Sequence, residues 1–434
     1  MRSRRTFLCA SLLVAIGLVV AACGGGATSA PPAATEPPAA AAETTLQVWG
    51  FVWTADWLDA IKPDFEAAHP GVKVEVGRFE YDPYEAMILT TLASGEGVPD
   101  VVTLDPMWAG DLIRNGTVLP LDKAATELSV ADFVPGGYNM YAWKGVQYGV
   151  PLDLDFNVLF YRKDVYDAAM ATLGMTELPK NTDDFIKLAQ QVVKETGKPA
   201  LIVDQNDYYI WYQSFLAPLG GNLISDDGTK YVFNSDVAVQ ALQLYSDLVN
   251  KHNVAKLWDI NTDGDPMVAL SGGDILAVMR GSWFATELAS GAPDLAGKWA
   301  ITSLPWGQAN RPYDAATGGA CLSIPKKAAH PDLAWEFMKY AESAKNQAEY
   351  FKIVAGVPSL KTSWTDPALD EVNPYFGVPI GRSVAEWALR TMPMQLPSRE
   401  VGDLIGEAIV KTTTGLATAK EALDAAVAAA PPLD

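Results

Sequence analysis

The sequence predicts an α/β protein built in two lobes, and three observations carry that expectation. The chain has 434 residues, too long for one ordinary core and enough for two domains with tails. From residue 46 onward, short β-rich runs alternate with amphipathic helical runs, the βαβ rhythm of a parallel sheet. Hydrophobic residues make up 49% and charged residues 19%, the balance of a globular body.

Leu46-Gln47-Val48-Trp49 alternates and stops at Gly50, which signals a first strand. Thr54 then reads as the cap of a helix in which Leu58, Ile61 and Phe65 recur at helical spacing until Pro70-Gly71. Val72, Val74 and Val76 alternate as a second strand. Tyr84, Met87, Ile88 and Leu92 mark a second helix, stopped near Gly95 and Gly97. Val101-Val102-Thr103-Leu104 is a third strand, apolar enough for burial on both faces. A strand order 2-1-3 puts a topological switch between strands one and three, and ligands bind outside the carboxyl ends of strands at such a point. That order places Trp53, just past strand one, and Asp105 and Trp108, just past strand three, at the expected crevice. Later, 158–161 reads as a strand, 182–196 and 238–249 as helices, and 275–279 and 322–324 as strands. Residues 332–344 and 419–430 read as helices, the second ended by Pro431-Pro432.

The N-terminus reads as an address. Residues 1–5 are basic, and residues 7–22 form an uncharged run ending in Val20-Ala21-Ala22-Cys23. This predicts a secretory signal peptide over 1–22, marginal in length for a permanent span. Small residues before a cysteine resemble a lipobox, in which the Cys23 sulfur takes diacylglycerol and anchors a soluble body to a membrane face. Ser3-Arg4-Arg5-Thr6-Phe7-Leu8 is also similar to a twin-arginine export signal. Residues 23–43 are then a lipidated cysteine and a flexible tether of Gly, Ala, Thr, Ser and Pro with two glutamates and no aromatic residue. The expected location is the outer face of the cell membrane or the periplasm.

Composition excludes several functions. The formal net charge is −20, and without residues 1–22 the balance is 29 basic against 52 acidic residues. Such a surface repels phosphate backbones, so no nucleic-acid partner is expected. Cys9, Cys23 and Cys321 cannot build a disulfide framework, and the three histidines show no metal-ligand spacing. Neither a Gly-x-Ser-x-Gly elbow nor a phosphate loop ending in Gly-Lys-Ser/Thr occurs. No cofactor, metal or catalytic residue is expected.

The chain holds 13 tryptophans, and Trp53, Trp108, Trp211 and Trp283 stand near glycines or strand ends. A sugar presents apolar C–H faces and a rim of hydroxyls. Flat aromatic rings cover the first, and carboxylates accept hydrogen bonds from the second. Any one of these tryptophans has a place in a core as its alternative. Asp153 and Asp155, two apart before a strand, share a face. Such a pair serves acid–base hydrolysis, hydroxyl binding or turn capping, and binding is the favoured reading.

The order of segments resembles the family 1 extracellular solute-binding proteins, the maltose-binding-like group. Pro99-Asp100-Val101-Val102 to Asp105 is similar to that family's third strand and ligand-facing acid. Tyr148-Gly149-Val150-Pro151, followed by Asp155 and Leu159-Phe160-Tyr161-Arg162-Lys163-Asp164, resembles its crossover into a second lobe. The resemblance puts Asp155 at a ligand-binding position. Leu276 to Trp283 resembles the family's aromatic-ended strand, and Gly318-Gly319, Ile324-Pro325-Lys326 and 331–337 resemble its return to the first lobe. Two positions depart: Ala320 stands where some sugar binders carry Trp, and Met394 where some carry Arg, with Arg390 or Arg399 as substitutes. The resemblance implies a two-lobed, periplasmic-binding-protein-like (type II) fold with a hinge. Lobe one would be 44–152 plus 300–358, and lobe two 153–299 plus 359–434. It further implies a monomer that delivers a small solute, a sugar, to the permease of an ABC importer without catalysis. The competing expectations are a polyamine, polyol phosphate or organic anion as ligand, or a secreted glycoside hydrolase.

Overall fold

The computed structural model describes residues 43–306, 313–395 and 397–433. The expected signal peptide, the lipidation site Cys23 and all of the tether except Glu43 lie outside them. No helix among the described residues is long and apolar enough to cross a membrane.

The chain opens with β1 (Thr44–Phe51), α1 (Val52–Ala68), β2 (Val72–Phe79), α2 (Tyr81–Ser94), β3 (Val101–Leu104) and α3 (Pro106–Arg114). β1 pairs in parallel with both β2 and β3, so the order 2-1-3 is observed. All four residues of β3 are buried, as an apolar central strand requires. α1 starts earlier than its sequence signal: Val52 opens it and Thr54 is fully buried inside the first turn, so Thr54 is not a cap. Trp57, Leu58, Ile61 and Phe65 form its buried stripe. Each contributes roughly 1.5–3 kcal/mol of burial.

The chain then crosses through β4 (Val150–Pro151) and β5 (Asp153–Leu154) into β6 (Asn157–Arg162), the centre of a second sheet. After it come α4 (Lys163–Leu173), α5 (Thr182–Thr196), β7 (Leu201–Asp204), α6 (Asp236–Asn250), β8 (Ala255–Trp258), β9 (Ala277–Gly281) and β10 (Trp299–Thr302). β9 and β10 flank β6 antiparallel, and β7 pairs with β8 in parallel. α5 runs over the residues its periodicity predicts because both ends are specified: Asn181 accepts from the Asp184 N–H, and Gly197 closes it at φ 68°.

Then follow β11 (Ala315–Thr317), β12 (Cys321–Ser323), α7 (Pro331–Ala341), α8 (Ala344–Val354), β13 (Val357–Pro358), β14 (Thr391–Pro393), α9 (Arg399–Thr413) and α10 (Ala419–Ala429). β12 returns to the first sheet, antiparallel to β3 and β4, giving the order β2-β1-β3-β12-β4. α7 and α8 pack on α1, whereas α9 and α10 pack on α6. Two short ladders, β5 with β13 and β11 with β14, stand where the chain crosses.

Beside shifts of one or two residues at several element ends, two differences from the sequence reading stand out. β10 pairs with β6, so residues 300–302 stay with the second sheet. The helix expected over 332–344 ends at Ala341, because Ser343 caps a new helix by accepting from the Asn346 N–H. Glu342 is left at the joint.

Candidate ligand-binding site

Asp105 ends β3 and caps α3, its carboxylate accepting from the Met107 N–H at 2.8 Å. Pro106 suits the next position, where an N–H would have no helical acceptor. Trp53 stands in the first turn of α1, 40% exposed, with its ring stacked on Phe51 at 5.0 Å and on Tyr81 at 6.0 Å. The Tyr81 hydroxyl lies beside Asp105. An aromatic wall with one carboxylate therefore sits at the switch point of the first sheet.

The crossing segment supplies two further carboxylates. Asp153 Oδ1 accepts from the Ala320 N–H at 2.7 Å, and Oδ2 accepts from the Tyr350 hydroxyl at 3.2 Å. The Asp155 N–H donates to the Gly318 carbonyl at 3.1 Å, and the Gly318 N–H donates back to the Asp155 carbonyl. Trp283, just past β9 and 47% exposed, donates its Nε1–H to Asp155 Oδ2 at 3.2 Å. Asp155 Oδ1 is buried without a protein hydrogen-bond partner.

The Gly318-Gly319 pair is forced by close approach. A Cβ on Gly318 would collide with the Tyr209 hydroxyl and crowd Gln213 Nε2 at 3.2 Å. Gly319 has φ 116°, and a Cβ there would strike the Asp153 carbonyl. Gln213 is fully buried, and neither atom of its amide has a protein partner. Such buried polar groups call for a partner, and a hydroxylated ligand supplies donors and acceptors of the right kind.

Burial raises the Asp155 carboxyl to about 8, and the charges of Asp153 and Asp105 add to the shift. Asp105 and Asp153 rise to about 6, again first through burial. Tyr209 is pushed far above the ordinary tyrosine range by burial and by the charges of Asp155, Asp105 and Tyr81. Tyr209 follows β7, whereas Tyr81 and Asp105 follow β2 and β3. Their mutual influence puts side chains that follow the first sheet and the β7–β8 ladder around one cluster of acids.

Trp53, Asp105, Asp155, Trp283, Gly318 and Gly319 thus stand on the walls or floor of this cluster. Trp108 and Trp211 offer no open ring face, although the Trp108 side chain lies beside Tyr81, and the reading of them as ligand platforms is corrected. Trp108 is 2% exposed and meets Phe51 and Tyr84 edge-on, at 6.2 and 6.0 Å. Trp211 is fully buried. Asp207 caps the turn that carries it, accepting from the Ile210 N–H at 3.0 Å. That cap sets the phase: Tyr209 and Gln213, four apart, both reach Gly318, and Trp211 faces the core. Tyr81, Tyr209 and Gln213 were missed by sequence reasoning; the spacing of four in an aromatic run was the available signal for the last two. A cavity of about 650 Å³ is lined by Trp143, Asp227, Tyr313, Met394 and Gln395; Met394, which stands where some sugar binders carry Arg, lines it, whereas Trp53, Asp105, Asp155, Trp283, Gly318 and Gly319 do not.

Comparison with known proteins decides the family. A family model described as bacterial extracellular solute-binding protein matches residues 52–348. The chain belongs to that family. An arabinooligosaccharide-binding protein of Halalkalibacterium halodurans is 25% identical to this solute-binding protein over 312 residues, 70% of this chain and 68% of the relative. A lactose-binding protein of Rhizobium radiobacter is 28% identical over 340 residues, 75% and 77% of the two chains. Among solved structures, the sugar-binding protein MalE from Xanthomonas citri shares the fold with a TM-score of 0.75 at 22% identity, over 89% of this chain and 96% of that one. The maltose-binding-like fold implied by the resemblance is the fold observed.

Proposed function

We propose that this solute-binding protein is the capture subunit of an ABC importer and that its ligand is a carbohydrate, a mono- or oligosaccharide. One arrangement carries the reading. Two half-exposed indoles, Trp53 and Trp283, accompany Asp155, whose Oδ1 lacks a protein partner. Ring faces cover sugar C–H surfaces, and the carboxylate accepts from hydroxyls. The sugar ligands named for the relatives support the same class. No bond is made or broken, so the protein is a binder and not an enzyme.

In this reading the first sheet with α7 and α8 is one lobe, and the second sheet with α9 and α10 is the other. The lobes close about the crossing ladders on ligand, and the permease recognises the closed form. Cys23 carries the lipid anchor, and the protein works as an exported monomer at the outer membrane face or in the periplasm. A second reading has one observation in its favour: the neighbours that shift Asp105, Asp153 and Asp155 include no lysine or arginine, which suits a polyamine. Native mass spectrometry of protein purified from its host tests both. A co-purified sugar mass supports capture of carbohydrate, and a polyamine mass replaces that reading with the second.

A further inference from the structure

Behind Asp153, away from the exposed tryptophans, lies a group of polar side chains in the interior between α1, α7 and α8. Glu342, at the joint after α7, is 5% exposed, and neither carboxyl oxygen has a hydrogen-bond partner. Gln347 on α8 is fully buried with both amide atoms unpartnered, and so is the Thr54 hydroxyl on α1. Tyr350 on α8 stands within electrostatic reach of Glu342, lies beside Thr54 and donates to Asp153. Glu342 feels the charge of Asp153 directly.

The charged groups around Glu342 can be named by element. β5 contributes Asp153 and α8 contributes Tyr350. The charged residues of α1 are engaged elsewhere: Asp56 and Asp59 with Arg78, Lys62 with Asp59, Asp64 with Lys345, and Glu66 with the Val74 N–H. The two partners that act on Glu342 are thus an acid and a phenol. An isolated carboxylate in such a place costs several kcal/mol, and the group avoids this by keeping its proton.

We propose that Glu342 holds a proton in the folded protein at neutral pH and, through Tyr350 and Asp153, couples the carboxyls of the ligand site to pH. Glu342 is a positioning residue: it touches no ligand. Asp153 grips the Ala320 N–H and lies against Gly319, so its charge bears on the segment between β11 and β12 that carries Gly318 under Tyr209. With Glu342 neutral, Asp153 ionises without a second buried charge behind it. The inference deepens the reading of this cleft as the ligand site, but its first test needs no ligand.

Burial and the Asp153 charge raise the Glu342 carboxyl well above the ordinary glutamate range. A raised folded-state pKa means that the group's contribution to stability is fully present below the unfolded pKa. It is lost as pH rises to the folded value. Glu342→Gln, which mimics the protonated form, should therefore melt with the wild type in acid and above it by several degrees in mild alkali. Glu342→Leu serves if the amide variant folds poorly, and should flatten the same pH profile. The direct readout is infrared spectroscopy at neutral pH. The wild-type-minus-variant spectrum should contain the carbonyl stretch of a protonated carboxylic acid. A difference spectrum holding only carboxylate bands, or variant and wild-type melting curves that stay parallel across pH, overturns the proposal. Neither outcome bears on whether sugar binds, which calorimetric titration decides separately.

Discussion

Trp283 and Trp211 carry the same ring to opposite ends. Trp211 gives all of its area to the core, whereas Trp283 leaves 47% of its surface open and holds Asp155 with its N–H. Trp211→Ala should therefore cost ~3–5 kcal/mol of folding stability. Trp283→Ala should leave the ligand-free melting temperature nearly unchanged and weaken binding by ~2 kcal/mol or more. Melting and titration of the two variants separate the roles; if Trp283→Ala simply unfolds, its ring is structural. Asp155 adds a pH signature. Its pKa of about 8 lies above the ordinary aspartate value, so its stabilising contribution is complete in acid and is lost as pH rises to about 8. Asp155→Asn should accordingly gain melting temperature relative to wild type as pH rises from about 4 to 9, a trend read by scanning fluorimetry. Above pH 8, where Asp155 is ionised, the same substitution should weaken sugar binding about 10- to 150-fold, the loss of one charge-assisted hydrogen bond of ~1.5–3 kcal/mol. The place of Asp105 just past β3 was legible in the sequence because the strand order 2-1-3 marks that end of the strand. Trp108 was not, because three residues after a cap the helix has already turned its side chain toward the sheet.

Elements that position the site are short, and their geometry is tight. Gly319 combines a positive φ with a Cβ position occupied by the Asp153 carbonyl. Gly319→Ala should lose at least ~1–3 kcal/mol of stability in urea unfolding, more than a surface Gly→Ala. An unchanged midpoint would mean that the β12 strand shifts freely away from β5. The long periodic elements could be read in advance: β3 and α5 match their sequence bounds residue for residue. Two-residue strands such as β4, β5 and β13 could not, since two residues carry no period and pair across long stretches of chain. The break between α7 and α8 was missed too. The expected helix over 332–344 overran the end of α7 by three residues, and α8 had no counterpart in the sequence reading, because the Ser343 cap between them was not recognised.

At the scale of the molecule, the chain crosses between two sheets more than once, and the carboxyl cluster sits at the crossing. β4 belongs to the first sheet and β6 to the second, with Asp153 and Asp155 between them. A body built this way changes shape when its lobes move about the crossing, so saturating ligand should reduce the radius of gyration in small-angle scattering. An unchanged radius argues against hinge closure, though binding itself would stand. Two-lobed architecture was legible from length and alternation, and the strand order 2-1-3 from the same rhythm. The second wall was not, because its residues reach the site only through the phase of one capped turn. The central claim is that the walls around Asp155 capture carbohydrate. Calorimetric titration with a panel of arabino-, gluco-, galacto- and chito-oligosaccharides, beside polyamines and polyol phosphates, tests it most directly. The account predicts saturable binding of at least one sugar, at one site per chain, lost or strongly weakened in Trp283→Ala. Binding of a polyamine or phosphate with no sugar bound, or sugar binding indifferent to both Trp283 and Asp155, would contradict it.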